Sequence, residues 1–361
     1  MVINKKVLIF PCHIPHGEEF AKTVSALGVE VVRATSVAAE ADSVIGQYHL
    51  PFVNESGFLP AFHALLEQED IGYVYAAHDV VLDFLKKLRT QNNYGERFQL
   101  CNDYQHKAHH NYYHQAEKWA KQALRDITSE KYGKPVNPPL RTKQYANLNL
   151  GFHHIPGQSD GDKLLALASV FTLAVPGDIV EIGCFWGRSS YALAFLARHH
   201  GLGSVVSIDP WDLQPSSDQG EGTQLVNDAV KLIDWEQVFQ GFLTSVASLD
   251  NINYIRDTSS AAAVKYQELR QSGVLRTAEL GEICITGEIA VLHIDGNHKY
   301  EEVKKDIASW MPFMKSGGWI LLDDYEWSFG DGPQRAGMEL IADPRVAGSF
   351  VASDTLFVQL K

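Results

Sequence analysis

Short apolar runs alternate with stretches of helical spacing along most of this chain. In the first part, the runs KKVLIFP (5–11), VEVVRAT (29–35) and IGYVYAAHD (71–79) predict strands. Between and after them, GEEFAKTVSALG (17–28), GFLPAFHALLEQED (57–70) and VVLDFLKKLRTQ (80–91) predict helices, the first ending at Gly28 as a C-cap. The pattern then breaks. From about residue 117 to 162 the chain is polar, with Pro135, Pro138 and Pro139 close together, which disfavours helix and central strand. Past this break, DIVEIGCF (178–185), SVVSIDPW (204–211), INYIRDTS (252–259), EIAVLHIDG (288–296) and GGWILLDDY (317–325) predict five strands. Helical segments such as RSSYALAFLARHHG (188–201) and YEEVKKDIASWMPFM (300–314) separate them, and SFVASDTLFVQLK (349–361) closes the chain with strand-like alternation. Strands separated by helices imply parallel sheets with right-handed crossovers. The expected fold is α/β: a small Rossmann-like domain over 1–116, a linker or arm over 117–161, and a doubly wound domain over 162–361 with a final antiparallel segment.

Composition narrows the partners. The chain has 361 residues, 31 basic and 44 acidic, for a formal charge of −13. That balance argues against a nucleic-acid partner, which needs clustered Lys and Arg. The longest apolar stretch, LLALASVFTLAV (164–175), is too short for a membrane span and predicts a buried helix. Cys12, Cys101, Cys184 and Cys284 lie far apart and form no C-x-x-C pair, which fits a reducing cytoplasm. The histidines at 106, 109, 110 and 114 lack a neighbouring acid that completes a metal motif and are expected on a solvated helix.

The chemistry concentrates at the predicted strand ends. Glu181-Ile182-Gly183-Cys184-Phe185-Trp186-Gly187 leaves the first strand of the second domain, and Gly183 and Gly187 permit close backbone approach. Asp209 ends the next strand, where an acid can accept the hydroxyls of a ribose. The dinucleotide pattern G-x-G-x-x-G is unmet, because Phe185 stands at its middle glycine, and there is no G-x-x-x-x-G-K-[ST] here. Glu181 repels a pyrophosphate and suits a cationic or zwitterionic ligand. Asp257 follows the third strand and is both a candidate ligand contact and, with Thr258 or Ser259, a helix cap. Asp295 ends the fourth strand, and Asp323 and Asp324 end the fifth. Adjacent parallel strands lie about 4.8 Å apart, so these three carboxylates are expected together. Their mutual repulsion calls for a counter-charge, and a hard divalent cation such as Mg²⁺ supplies one.

The combination E-x-G-x-x-x-G with a following strand-end acid resembles the class I S-adenosylmethionine (SAM)-dependent methyltransferases. The stretch I-D-G-x-H-x-Y, a helix, then K-x-G-G-x-x-x-x-D-D-Y is similar to the metal-dependent macrocin-type sugar O-methyltransferases and their bacterial relatives, over roughly residues 160–332. That resemblance implies a SAM-dependent O-methyltransferase acting on a hydroxyl of a sugar or glycosylated small molecule. Glu181, Gly183, Gly187, Asp209 and Asp257 would serve the cofactor, and Asp295, Asp323 and Asp324 a Mg²⁺ ion. His298 or Asp295 would take the hydroxyl proton. Asn297 and His298 depart from the residues that often follow the first aspartate in the sugar enzymes, which bears on the substrate class. Rival readings are a non-catalytic SAM- or nucleotide-binding module and an NAD-dependent oxidoreductase. Trp186, Trp211, Tyr325 and Trp327 fall near the expected crevice mouth, where aromatic faces stack on sugars or simply pack. The layout of the front domain resembles the Rossmann-like lead-in of ATP-grasp proteins. Its expected sites of interest are residues 11–17 and His78–Asp79, or else it packs, with a homo-oligomer as one outcome.

Overall fold

The computed structural model describes residues 5–37, 47–91, 97–220 and 222–361. The chain divides into two compact units, Met1–His114 and Gln115–Lys361.

Among the described residues of the first unit, five strands pair in the order β3-β2-β1-β4-β5, all parallel. They are β1 (Lys6–Phe10), β2 (Val31–Thr35), β3 (Gln47–His49), β4 (Ile71–Ala76) and β5 (Gln99–Leu100). Helices α1 (Pro15–Ala26), α2 (Phe58–Gln68) and α3 (Asp79–Arg89) connect them. The helix α2 buries Phe58, Phe62, Leu65 and Leu66, the i, i+4, i+7, i+8 face that its sequence spacing predicts. His78 and Asp79 at the β4 end serve local structure. His78 Nδ1 accepts from the Val80 amide at 3.2 Å, and Asp79 accepts from the Gln105 and His106 amides at 2.9 and 3.3 Å.

The polar segment expected as a linker is folded instead. Helix α4 (Gln105–Thr128) runs through its first part, and α5 (Thr142–His154) fills its second. The proline-bearing stretch between them, and residues 155–160 after them, are irregular. Ala116, Ala120, Ile127, Leu140, Tyr145, Leu148 and Phe152 of this segment all enter one core of the second unit. Small and apolar residues at helical spacing outweigh the polar average that suggested a linker.

The second unit is built on a seven-stranded sheet of order β13-β14-β12-β11-β6-β7-β8. Its strands are β6 (Asp178–Ile182), β7 (Val205–Ile208), β8 (Ile252–Ile255), β11 (Ile289–Ile294), β12 (Met314–Leu322), β13 (Val346–Ala352) and β14 (Thr355–Leu360). The first five are parallel, and β14 pairs antiparallel with both β12 and β13. A separate hairpin, β9 (Val274–Thr277) with β10 (Gly281–Cys284), was not expected from the pattern. Alternation divides the sheet residues between two cores. Ile179, Val205, Val291 and Leu321 face α6 (Gly161–Leu173), α7 (Arg188–His200) and α10 (Trp235–Val246). Val180, Val206, Leu292 and Ile320 face α11 (Ser259–Ser272), α12 (Tyr300–Trp310) and α13 (Gly332–Ile341). Among the described residues, no helix is long and apolar enough to cross a membrane.

The register fixes where the chemistry lies. Ile182 pairs with Ile208 and Ile294, and Ile294 pairs with Leu322. The next residues, Gly183, Asp209, Asp295 and Asp323, therefore stand level along one carboxyl edge. Strand order reverses between β6 and β11, and such a switch point opens a crevice.

Candidate active site

A crevice of about 780 Å³ opens at this edge, lined among others by Gly183, Asp209, Asp257, Asp295, His298 and Asp324. It falls in the size range of small-molecule and cofactor sites.

The glycine turn is held from below. Gly183 and Gly187 have φ of +82° and +88°, and Phe185 between them has φ of +47°. A Cβ on Gly183 would sit 1.9 Å from the Asp295 carbonyl oxygen, so only glycine fits where the two halves of the sheet meet. Asp209 Oδ2 accepts from the Cys184 and Phe185 amides at 2.9 and 3.1 Å, and its Oδ1 accepts from the Trp211 amide at 2.7 Å. Three of about four acceptor directions of the carboxylate are thus used. The sequence expectation gave Asp209 both ribose hydroxyls; its geometry makes it first the clamp of the turn, with room for one further donor. Burial pushes its carboxyl up, opposed by those three amides.

Glu181 lies behind the crevice wall. It is fully buried, Ser190 Oγ donates to its Oε2, and His293 Nδ1 stands 3.0 Å from its Oε1. His293 was not foreseen. It is also fully buried, and its Nε2 faces Asp323 Oδ2 at 3.7 Å, with no hydrogen-bond partner among the described residues. Burial is the largest influence on its imidazole and pushes it down, as does Lys163. The nearby Asp323 carboxylate, and the hydrogen bond and charge of Glu181, outweigh them, leaving it raised.

Lys163 was also unforeseen. It rises from the first turn of α6, which Asp160 caps by accepting from the Asp162 and Lys163 amides at 3.0 and 2.9 Å. Its Nζ donates to Asp323 Oδ2 and lies 4.0 Å from Asp295 Oδ2. Burial alone drives an ammonium toward neutrality. Here the charges of Asp323 and Asp295 reverse that, and the net direction is upward. Thr355 Oγ1 also donates to Asp323 Oδ1. Asp323 is held well below the usual carboxylate range against the opposing pull of burial, chiefly by Lys163 and His293. Asp295 moves the other way, raised by burial and by the adjacent charge of Asp323.

The three aspartates come together as the register requires, but in two environments. Asp323 is buried among Lys163, Thr355 and His293. Asp295 and Asp324 open toward the crevice, with side chains 27% and 24% exposed. Ligand atoms of Asp295, His298 and Asp324 lie within 4.8 Å of one another. His298 Nε2 stands 2.7 Å from Asp324 Oδ2 without the alignment of a hydrogen bond, and its buried Nδ1 has no hydrogen-bond partner among the described residues. Asp324 sits at φ of +52°, a left-handed conformation that Asp tolerates better than most residues.

The remaining expectations divide. Asp257 reaches the crevice, where its Oδ1 accepts from the Thr258 amide at 2.8 Å and its Oδ2 pairs with Lys265 at 2.7 Å. Lys265 is the main cause of its lowered carboxyl. Trp186 lines the crevice, whereas Trp211 is buried against Phe239 and Phe242, with Nε1 donating to the Phe185 carbonyl at 2.9 Å. Trp327 stands over His298, ring centroids 4.4 Å apart. The crevice is also lined by α8 (Leu213–Ser216) and α9 (Gln224–Val230). Their segment joins the motif after Asp295, where Asn297 Nδ2 donates to the Asp218 carbonyl at 2.8 Å and the His298 amide donates to Gln219 Oε1 at 3.1 Å.

Residues 180–325 match a family model described as a methyltransferase domain. No curated protein matches the chain significantly. Similar solved structures include the O-methyltransferase NovP, at 20% identity over 52% of this chain and 73% of that one, with a TM-score of 0.36. The TDP-rhamnose 3'-O-methyltransferase CalS11 of calicheamicin biosynthesis is 17% identical over 67% and 93%, with a TM-score of 0.37. The O-methyltransferase TomG from Streptomyces achromogenes, involved in tomaymycin synthesis and solved with SAM, is 16% identical over 68% and 88%, with a TM-score of 0.34. Residues 180–325, within the second unit, thus carry a SAM-dependent methyltransferase domain.

Proposed function

We propose that this domain methylates a hydroxyl group of a sugar or glycosylated small molecule, with a divalent cation, Mg²⁺ in the first instance, at Asp295 and Asp324. The observation that carries this is the placement of Asp295, His298 and Asp324 in the same crevice as the clamped glycine turn. Asp209 would accept from one ribose hydroxyl, and the Gly183 turn and Asp257 would line the cofactor. Glu181 and Gly187 would support that turn from behind.

Two open carboxylates beside a nitrogen base form an oxygen-rich donor set that fits a hard cation keeping water or substrate positions. When bound, the cation would stabilise negative charge on the acceptor oxygen, and SAM would supply a methyl on a good leaving group. His298 is the base in this reading: Nε2 faces Asp324, which orients the ring, and the ring lines the crevice. With SAM bound, the hydroxyl oxygen would bond to the methyl carbon as the carbon–sulfur bond gave its electron pair to sulfur, and His298 would take the hydroxyl proton. The walls contribute by holding oxygen, carbon and sulfur in line. Trp327 beside His298, with the exposed Phe329 ring 5.5 Å further on, supports a sugar-like acceptor, which stacks its C–H face on aromatic rings. None of the four cysteines is in a disulfide, which is consistent with the cytoplasm as the compartment.

The test is transfer of labelled methyl from SAM to a panel of nucleoside-diphosphate sugars and glycosides, with Mg²⁺ or with EDTA. Label should appear in a sugar product with Mg²⁺ and fall at least about tenfold with EDTA. Undiminished transfer under chelation would contradict the cation's part, and label only in non-hydroxyl products would contradict the reaction.

A further inference from the structure

Ten consecutive residues of α6, Lys163 to Thr172, are buried, and Lys163 alone among them is charged. A lone buried ammonium is costly unless paired and hydrogen-bonded. Its partner is Asp323, 160 positions away, to which Nζ donates, with Asp295 next at 4.0 Å. Behind Asp323 stands His293, and behind His293 stands Glu181. Lys163, Asp323, His293 and Glu181 thus form a buried row from α6 through the ends of β12 and β11 to β6. Among the described residues, His293 Nε2 has no hydrogen-bond partner on the side facing Asp323. Asp324, next in sequence to Asp323, has none of these partners and faces the crevice with His298.

We propose that Lys163 is a built-in cation of the reaction site, a positioning residue that occupies the charge of Asp323 and leaves Asp295 and Asp324 to hold the divalent cation. The inference rests on the reading that this crevice takes a divalent cation. It goes beyond that reading by removing Asp323 from the donors expected from sequence and giving its role to a lysine. The consequence is economical: three carboxylates at one strand edge need only one exchangeable cation, because the second is part of the fold.

The test is titration of the full-length protein with Mn²⁺, followed by electron paramagnetic resonance, on wild type, Lys163→Met and the double variant Lys163→Met/Asp323→Asn. Binding of S-adenosylhomocysteine by calorimetry serves as the control for an intact crevice. Freed of its partner, Asp323 should join the donors in Lys163→Met, which should bind Mn²⁺ at least about tenfold more tightly or take a second equivalent. The double variant removes opposite charges together, and its Mn²⁺ affinity should stay within about threefold of wild type. Loss of about tenfold or more in the double variant would make Asp323 a direct ligand and overturn the assignment. So would equal Mn²⁺ binding by wild type and Lys163→Met, or no binding by either. If Lys163→Met alone does not fold, the charge-neutral double variant decides. A wild type that fails to bind S-adenosylhomocysteine would count against this crevice as the cofactor site, which is a separate failure, since the Mn²⁺ readout does not use the cofactor.

Discussion

Lys163 and Asp323 form a buried ion pair between the first turn of α6 and the end of β12, with side chains 1% and 8% exposed. The pair joins the start of the methyltransferase unit's first sheet-covering helix to the carboxylate edge of its sheet. Removing one partner of such a pair strands the other charge in a low-dielectric interior. Lys163→Met should therefore destabilise the protein by about 3–5 kcal/mol. The double variant with Asp323→Asn should recover most of that loss. Chemical denaturation of the three proteins checks this, and equal stability of both variants would show that the pair is not coupled.

The turn at Gly183 predicts a steric result. Alanine there would place its Cβ against the Asp295 carbonyl and hold a side chain at φ of +82°. The left-handed conformation alone costs about 1–3 kcal/mol, before the clash. Gly183→Ala should lose S-adenosylhomocysteine binding by at least about 100-fold and lower the thermal midpoint. Retained affinity would mean that the turn does not carry the cofactor.

Asp209 predicts a different pattern. Asp209→Ala removes the acceptor for the Cys184, Phe185 and Trp211 amides. At about 1–3 kcal/mol for each buried donor left unpaired, the turn should loosen and cofactor affinity should fall by at least about tenfold. Asp209→Asn, which keeps a carbonyl oxygen, should fall between alanine and wild type. An unchanged affinity in the alanine variant would remove Asp209 from the site.

Asp306 on α12 predicts a pH dependence. Burial pushes its carboxyl up to about 6, against a hydrogen bond from Ser259. A carboxyl raised in the folded state favours folding in its protonated form. Its contribution is fully present below pH 4 and is lost as pH rises through 6. The shift of roughly two pH units corresponds to about 2–3 kcal/mol. Asp306→Asn should therefore be more stable than wild type at pH 8, with the gain vanishing near pH 4, in denaturant titrations without cofactor. A gain that grows toward low pH would contradict the assignment.

Much of this architecture was legible in the chain. Five strand-end signals of the second unit survived because each parallel strand is a compact apolar run closed by Gly, Asp or Pro. The same signals located Gly183, Asp209, Asp295, Asp323 and Asp324 at one edge, since register aligns the residue after each strand. What was not legible depends on distance in sequence. Lys163 reads as the polar entry to an apolar helix, and only the fold shows its ammonium reaching Asp323. His293 lies inside a wholly buried strand, where alternation no longer distinguishes the two faces. For the same reason Glu181 read as a ligand contact, although its side chain turns to Ser190 and His293. The helices between residues 115 and 154 were hidden by a polar average that masked their small-residue seam.

The central claim is that the crevice at the β6–β11 switch point binds the SAM skeleton. Calorimetric titration of wild type and Gly183→Ala with S-adenosylhomocysteine, with NAD and ATP as comparison ligands, tests it most directly. The account predicts one equivalent of S-adenosylhomocysteine on wild type, severe loss in the variant, and no comparable binding of NAD or ATP to this unit. Saturable binding of NAD instead, or S-adenosylhomocysteine binding that Gly183→Ala leaves intact, would contradict it.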